Sequence, residues 1–163
     1  MRFAVLTVSD RCAAGITEDK SGPVLCEMIK DLAELTLYEV VPDEREKIEE
    51  ALIRFADAEK CDFVFTTGGT GFAPRDVTPE ATKNVIEKEV PGIPEAIRAE
   101  SLKITPRAML SRAVAGIRGK TLIVNLPGSP KAVRESLAVV LPILPHAAET
   151  LSGKTLDCGR PKP

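Results

Sequence analysis

The chain has no tryptophan, one tyrosine and one histidine in 163 residues. Aromatic platforms on which bases could stack are almost missing. The net charge of −2 gives no broad attraction to nucleic acid or to an anionic membrane. Nucleic-acid binding is therefore disfavoured. The four cysteines, Cys12, Cys26, Cys61 and Cys158, are scattered without a C-x-x-C pair. With His146 alone they make no zinc pattern, and they read as free thiols of a reducing compartment. No apolar run reaches membrane-spanning length, since Pro142 and Pro145 interrupt the one near the C-terminus. Met1 to Val8 is too short for a signal peptide and lacks a cleavage site. The expectation is a soluble, cytoplasmic protein with no membrane partner.

What is present is a hydrophobic fraction of 44% and a charged fraction of 28%. That is the make-up of one globular domain with a substantial core. No repeat or linker divides it, so we expect a single domain over residues 1–151 and a tail over 152–163.

Strand, loop and helix alternate along the chain. Phe3 to Val8 reads as a buried central strand and ends in Ser9-Asp10-Arg11. A loop of about a dozen residues follows, a length more often functional than spacer. Gly22-Pro23 opens a helix carrying Val24, Leu25, Met28, Ile29 and Leu32. Leu35 to Val41 is a second strand, ending in Pro42-Asp43-Glu44. From Glu44 to Ala58, Ile48, Leu52, Phe55 and Ala56 share one helical face. A third strand ends at Phe65. A helix from Pro79 to about Glu87 follows, then a break over Val90 to Pro94 and a short helix from Glu95 to Leu102. Ala113 to Ile117 and Thr121 to Leu126 flank Arg118-Gly119-Lys120 as a hairpin. A last helix begins near Lys131, with Ser129 as N-cap, Pro130 at its first position and Pro142 kinking or ending it. The pattern predicts a three-layer α/β/α, Rossmann-like fold with a mostly parallel sheet and an antiparallel pair in the C-terminal half.

The loops richest in Gly, Pro, Asp and Ser follow strands, and in open α/β sheets that edge takes the ligand. The densest is Thr66-Thr67-Gly68-Gly69-Thr70-Gly71-Phe72-Ala73-Pro74-Arg75-Asp76-Val77-Thr78. Its glycines permit positive φ and close approach of the backbone, and its amides can face phosphate oxygens. Thr78 is placed as the N-cap of the helix that follows. The other reading is a tight turn without a ligand. A P-loop is excluded because Phe72 and Ala73 follow Gly71, and G-x-G-x-x-G is absent. Asp43 and Asp76 are two carboxylates able to hold Mg²⁺ beside bound phosphates. Asp43 equally suits a helix N-cap, and Ser9-Asp10 a capping or turn pair.

The stretch Thr67 to Thr82 resembles the signature of the molybdopterin adenylyltransferases, the MogA/MoaB-type proteins and the gephyrin G domains. The similarity continues in Val8-Ser9-Asp10, Asp19-Lys20-Ser21-Gly22-Pro23, Val41-Pro42-Asp43-Glu44, Glu100 to Pro106, Met109-Leu110-Ser111-Arg112-Ala113, Gly116 to Gly119 and Asn125 to Pro130. It spans nearly the whole chain to about residue 150. It implies a molybdopterin-binding domain that transfers AMP from ATP to molybdopterin with Mg²⁺, releasing pyrophosphate. It further implies a homotrimer and a molybdenum-insertion enzyme as partner. By motif, the two essential carboxylates fall on Asp43 and Asp76, both holding Mg²⁺. Ser111 matches a position that affects turnover of the adenylylated product. Thr67, Gly68, Gly69, Thr70 and Gly71 would cradle phosphate. Ser9, Asp10, Pro127, Gly128, Ser129 and Pro130 would hold pterin or phosphate, although many relatives carry Asn or Gln in place of Ser129. The alternatives are a molybdopterin-binding paralogue that does not adenylylate and a trimeric scaffold or carrier.

Overall fold

The computed structural model describes residues 1–153. Cys158 and all but the first two residues of the expected tail lie outside them. Strands β1 (Arg2–Val8), β2 (Glu34–Val41), β3 (Phe63–Thr67), β4 (Lys88–Glu89), β5 (Ala115–Arg118) and β6 (Thr121–Leu126) form one sheet in the order β2-β1-β3-β6-β5-β4. β2, β1, β3 and β6 run parallel. β5 lies antiparallel to β6 and to β4. The expected hairpin forms: Arg118 pairs with Thr121, and Gly119 in the turn has φ +56°.

The central strands are apolar on both faces, as a parallel sheet covered by two helical layers requires. Phe3, Val5, Phe63, Phe65, Leu122, Val124 and Leu126 point to one layer. That layer contains α2 (Ser21–Ile29), α5 (Gly92–Leu102), α6 (Pro130–Val140) and α7 (Leu144–Leu151). Ala4, Leu6, Val8, Val64 and Ile123 point to the other. There they meet α3 (Arg45–Ile53), its wider-wound continuation Arg54–Ala58, and α4 (Thr78–Val85). The face expected on this helix, Ile48, Leu52, Phe55 and Ala56, is buried.

Several local expectations need correction. The first part of the long loop winds into a four-residue helical turn, α1 (Asp10–Ala13), capped by Ser9. Val90 to Pro94 does not break the chain throughout, because α5 already begins at Gly92. Pro94 falls in its first turn, where an amide has no intrahelical partner to lose. Thr78 is not a cap: it lies inside α4, with Val77 preceding it. Its hydroxyl donates to Gly68 O at 2.9 Å instead. At the other end, Ser129 does cap α6, its Oγ accepting from Ala132 N at 3.2 Å. Pro142 ends α6, a short 3₁₀ turn (Leu141–Ile143) leading into α7.

Candidate functional site

β1, β2, β3 and β6 run the same way, so Ser9, Asp43, Gly68 and Pro127 all follow strands at one edge of the sheet. β1 sends the chain to β2 on one side and pairs with β3 on the other. The chain order reverses there, which opens a crevice at the carboxyl ends of the strands. The Gly-rich loop leaves β3 inside it.

Gly68 and Gly69 adopt φ of +98° and +64°. A side chain on Gly68 would overlap the Val8 carbonyl, and one on Gly69 would overlap the Thr78 hydroxyl. The loop is thus pressed against β1 and the start of α4. Thr67 Oγ1 donates to Pro127 O at 2.8 Å, and a Cβ on Gly128 would stand 3.3 Å from Gly68 Cα. The Thr67–Gly71 and Pro127–Pro130 loops therefore form one surface. Ser129, exposed, spends its hydroxyl on the helix cap.

Asp43 is not a helix cap either. Glu44 precedes α3, and the Asp43 carboxylate turns toward α1, where Oδ2 accepts from Asp10 N at 2.8 Å. Its other oxygen lies 3.1 Å from where a Cβ on Gly69 would stand. Burial pushes the Asp43 pKa up, and the neighbouring Asp10 and Asp76 charges add to this. The amide of Asp10 and the Arg75 charge act in the opposite sense. Asp76 Oδ2 accepts from Ala73 N at 2.9 Å and stands 2.9 Å from a Cβ built on Gly71. The two carboxylates therefore lie against two glycines of the same loop, close enough to repel each other. Each keeps an oxygen outside those bonds. Among the described residues, no three His, Cys, Asp or Glu side chains gather into a protein-only metal site.

Asp10 is already engaged. Arg75 Nε and Nη2 donate to its two carboxylate oxygens at 2.5 and 2.8 Å, and this hydrogen bonding holds its pKa below the usual value. The pair is solvent-exposed, at 59% and 40% of side-chain surface. Ser9 Oγ accepts from Cys12 N at 3.3 Å. The capping reading thus describes Ser9, and an ion pair describes Asp10.

Two cavities border the loop. One, of about 290 Å³, is lined by Thr7, Ser9, Asp19, Thr67, Gly68 and Gly128 among others. The second, of about 270 Å³, includes Thr70, Gly71, Arg98, Ser111, Asn125 and Pro127 in its wall. Ser111 is thereby placed on the Gly71 side of the loop, away from Ser9.

Two features escaped the sequence. Asp19 accepts from Thr7 and Tyr38 hydroxyls at 2.5 Å each, from Ser21 N and Oγ at 2.8 and 2.9 Å, and from Gly22 N at 3.2 Å. The other is Arg112, which reaches across to the Gly-rich loop. Both join residues far apart in the chain, and the only signal was their position inside resembling motifs.

Comparison with known proteins extends this picture. Residues 4–146 match the family model described as "Probable molybdopterin binding domain". The molybdopterin adenylyltransferase of Helicobacter pylori is 46% identical over a 172-position alignment covering 99% of this chain and 98% of that protein. The solved structure of the molybdopterin biosynthesis enzyme MoaB of Thermus thermophilus is 50% identical. It superposes with a TM-score of 0.88 over 93% of this chain and 96% of that one. The tungsten cofactor synthesizing protein MoaB of Pyrococcus furiosus gives a TM-score of 0.81 at 41% identity, over 91% and 97%. With the match spanning both loops, both carboxylates and both cavities, this chain belongs to the family of probable molybdopterin binding domains.

Proposed function

We propose that the protein is a molybdopterin adenylyltransferase of molybdenum cofactor biosynthesis. The observation that carries this is the pair of cavities meeting at one glycine loop, with Asp43 and Asp76 against that loop. A two-substrate transfer needs two guests whose phosphates meet at one point. The 46% identity with the Helicobacter enzyme over nearly the whole of both chains supports the same reading.

In the reaction, a terminal phosphate oxygen of molybdopterin attacks the α-phosphorus of ATP. A new P–O bond forms, the α–β bridge breaks, and pyrophosphate leaves. Both reactants are anionic, so alignment and charge neutralisation carry most of the catalysis. The amides of residues 68–71 face phosphate, with Gly68 and Gly69 giving the backbone its close approach. Thr67, Thr70 and the Pro127–Pro130 loop shape the walls on either side. Ser111 stands at the second cavity, where it acts on the adenylylated product. Ser9 and Asp10 border the first.

Asp43 and Asp76 fit Mg²⁺: two carboxylates, each with an oxygen outside its backbone bond, match an ion that completes its shell with phosphates and water. When bound, the ion neutralises phosphate charge. Burial and mutual repulsion raise the cost of an ionised Asp43, and a cation removes that cost.

The protein acts in the cytoplasm as a homotrimer and hands its product to a molybdenum-insertion enzyme. The exposed Leu102, Ile104, Met109 and Leu110 supply apolar surface for self-association. Among the described residues no helix is long and apolar enough to cross a membrane. The resemblance to the Pyrococcus protein favours one further reading, in which the same product serves tungsten insertion.

Incubation with molybdopterin, ATP and Mg²⁺ should yield adenylylated molybdopterin and pyrophosphate. Molybdopterin bound without product would leave a carrier or scaffold in place of an enzyme.

A further inference from the structure

Arg112 lies between Ser111 and β5, and every donor-bearing part of it is spent on one neighbourhood. Its backbone N–H donates to Thr70 O at 3.0 Å. Nε donates to Gly71 O at 2.7 Å, and Nη2 to Asp76 O at 2.6 Å. Nη1 pairs with the carboxylate of Glu80, in the first turn of α4. One side chain therefore grips residues 71–76 at both ends and ties them to the helix that follows.

The segment it grips is otherwise loosely held. Ala73 and Asp76 bond each other locally, through Ala73 N to Asp76 Oδ2 and Asp76 N to Ala73 O. Phe72 is 68% exposed, and the Arg75–Asp10 pair faces solvent. Surface pairs of that kind hold little. Glu80 Oε2 is buried with no hydrogen-bond partner, so the Arg112 contact is what fixes that side chain.

We infer that Arg112, with Glu80 as its counter-ion, is a positioning residue that sets where the Asp76 carboxylate stands. This rests on the adenylyl-transfer reading for its effect on turnover, although the clamp itself does not. Fixing the carbonyls of Gly71 and Asp76 fixes the chain on both sides of the Ala73–Asp76 bond. That bond in turn aims the carboxylate beneath Gly71. The task needs the planar guanidinium: three nitrogens serve three acceptors in different directions, whereas a lysine offers one point charge on a flexible stem.

The test compares Arg112→Lys, Arg112→Ala and Glu80→Gln with the wild type. Five quantities are read: melting temperature, kcat, KM, the Mg²⁺ concentration giving half-maximal turnover, and amide exchange across residues 71–76. Arg112→Lys should melt close to the wild type yet lose about 100-fold in kcat, the scale of a small misplacement of a reacting group. KM for molybdopterin should stay nearly constant while the Mg²⁺ requirement rises. The Ala73 amide should exchange faster, with β1 and β3 unchanged. Millimolar methylguanidinium should restore part of the kcat lost in Arg112→Ala. Glu80→Gln should move exchange and the Mg²⁺ requirement the same way by less, and it carries the test if neither Arg112 variant folds. Wild-type kcat and wild-type exchange at Ala73 in a folded variant would overturn the inference. So would a kcat loss that only tracks the loss of folded protein. A wild type that forms no adenylylated product would overturn the reaction, while exchange at Ala73 would still report on the clamp.

Discussion

Asp10 and Asp43 hold each other reciprocally: Asp43 N donates to Asp10 Oδ1 at 3.0 Å, and Asp10 N donates to Asp43 Oδ2 at 2.8 Å. Two like charges are thus locked together at the ends of neighbouring parallel strands. Arg75 offsets one of them from the solvent side, and Asp43 is left as the half-buried member, its pKa pushed up. A group held that way destabilises the fold when ionised, which marks a residue kept for chemistry.

Asp43→Asn should therefore separate activity from stability. The amide oxygen can still accept from Asp10 N, so the turn survives while the desolvated charge is gone. In a chelator-containing buffer near neutral pH the variant should melt at or above the wild-type temperature, with turnover down about 100-fold or more. The advantage in stability should vanish on acidification: with a raised folded-state pKa the wild type takes up its proton already above the usual carboxylate value, and the penalty is fully gone once the pH is below that value. A drop of about 1 kcal/mol at neutral pH, as for a lost N-cap, would contradict the structure.

Asp76→Ala should abolish turnover while leaving molybdopterin binding largely intact. Its carboxylate accepts from Ala73 N and stands against Gly71, and Asp76 itself is in the wall of neither cavity, so the walls at Ser111 and Gly128 keep their shape. Mg²⁺ titration followed by melting temperature supplies the second readout: the wild type should be stabilised by the ion and the variant should not. Surviving turnover would remove Asp76 from the metal site.

Asp19 offers a test of pH dependence away from the two carboxylates. Burial alone would raise its pKa, but hydrogen bonds from Thr7, Tyr38, Gly22 and Ser21 outweigh it and hold the pKa below the ordinary value. Burial, and after it the same carboxylate, pushes the Tyr38 phenol up. Asp19→Ala leaves those donors unpaired and should lower stability by about 2 kcal/mol at neutral pH. A depressed folded-state pKa contributes stability above the unfolded value and loses it as pH falls through the folded one. The gap between wild type and variant should accordingly close in acid, as followed by denaturant unfolding at several pH values. A gap independent of pH would mean that packing, and not the charge, carries the effect.

The parts of the fold legible in the sequence are those written in local periodicity. β1, β3 and β6 carry apolar runs at residues 3–6, 63–65 and 122–124, and Gly119 marks the hairpin. β4 was not legible, because Lys88 and Glu89 are two exposed charged residues on an edge and two residues have no period. The onset of α5 was hidden by Gly92 and Pro94, which read as breakers until their place in a first turn is known. The glycine loop was legible from its density of glycine, and Asp76 and Asp43 as carboxylates in loops after strands, able to hold Mg²⁺; resemblance added that the two are essential. Asp43 alone read equally well as a cap, since a strand-end Asp before a helix looks the same whether it turns back to the helix or across to Asp10. Arg112 grips Asp76 and Glu80 from 36 and 32 positions away. Contacts at that range leave no local trace.

The glycines themselves give the sharpest contrast. Gly69 and Gly119 have nearly equal φ, +64° and +56°, yet Gly119 has nothing within 4 Å of a built Cβ while Gly69 faces Thr78 Oγ1 and Asp43 Oδ1. Alanine at Gly119 should cost only backbone strain, about 1–2 kcal/mol, and leave turnover as it was. Alanine at Gly69 adds to that strain a collision with the Thr78 hydroxyl that bonds Gly68 O, and it crowds the Asp43 carboxylate from 3.1 Å away. Relief requires the loop to lift from β1 or Asp43 to turn aside, and either motion disturbs the point where the phosphates meet. Gly69→Ala should therefore lose turnover far beyond what Gly119→Ala loses at a matched fall in melting temperature. Equal activity in the two variants would show that the loop yields freely and that its hold on Asp43 is immaterial to the reaction.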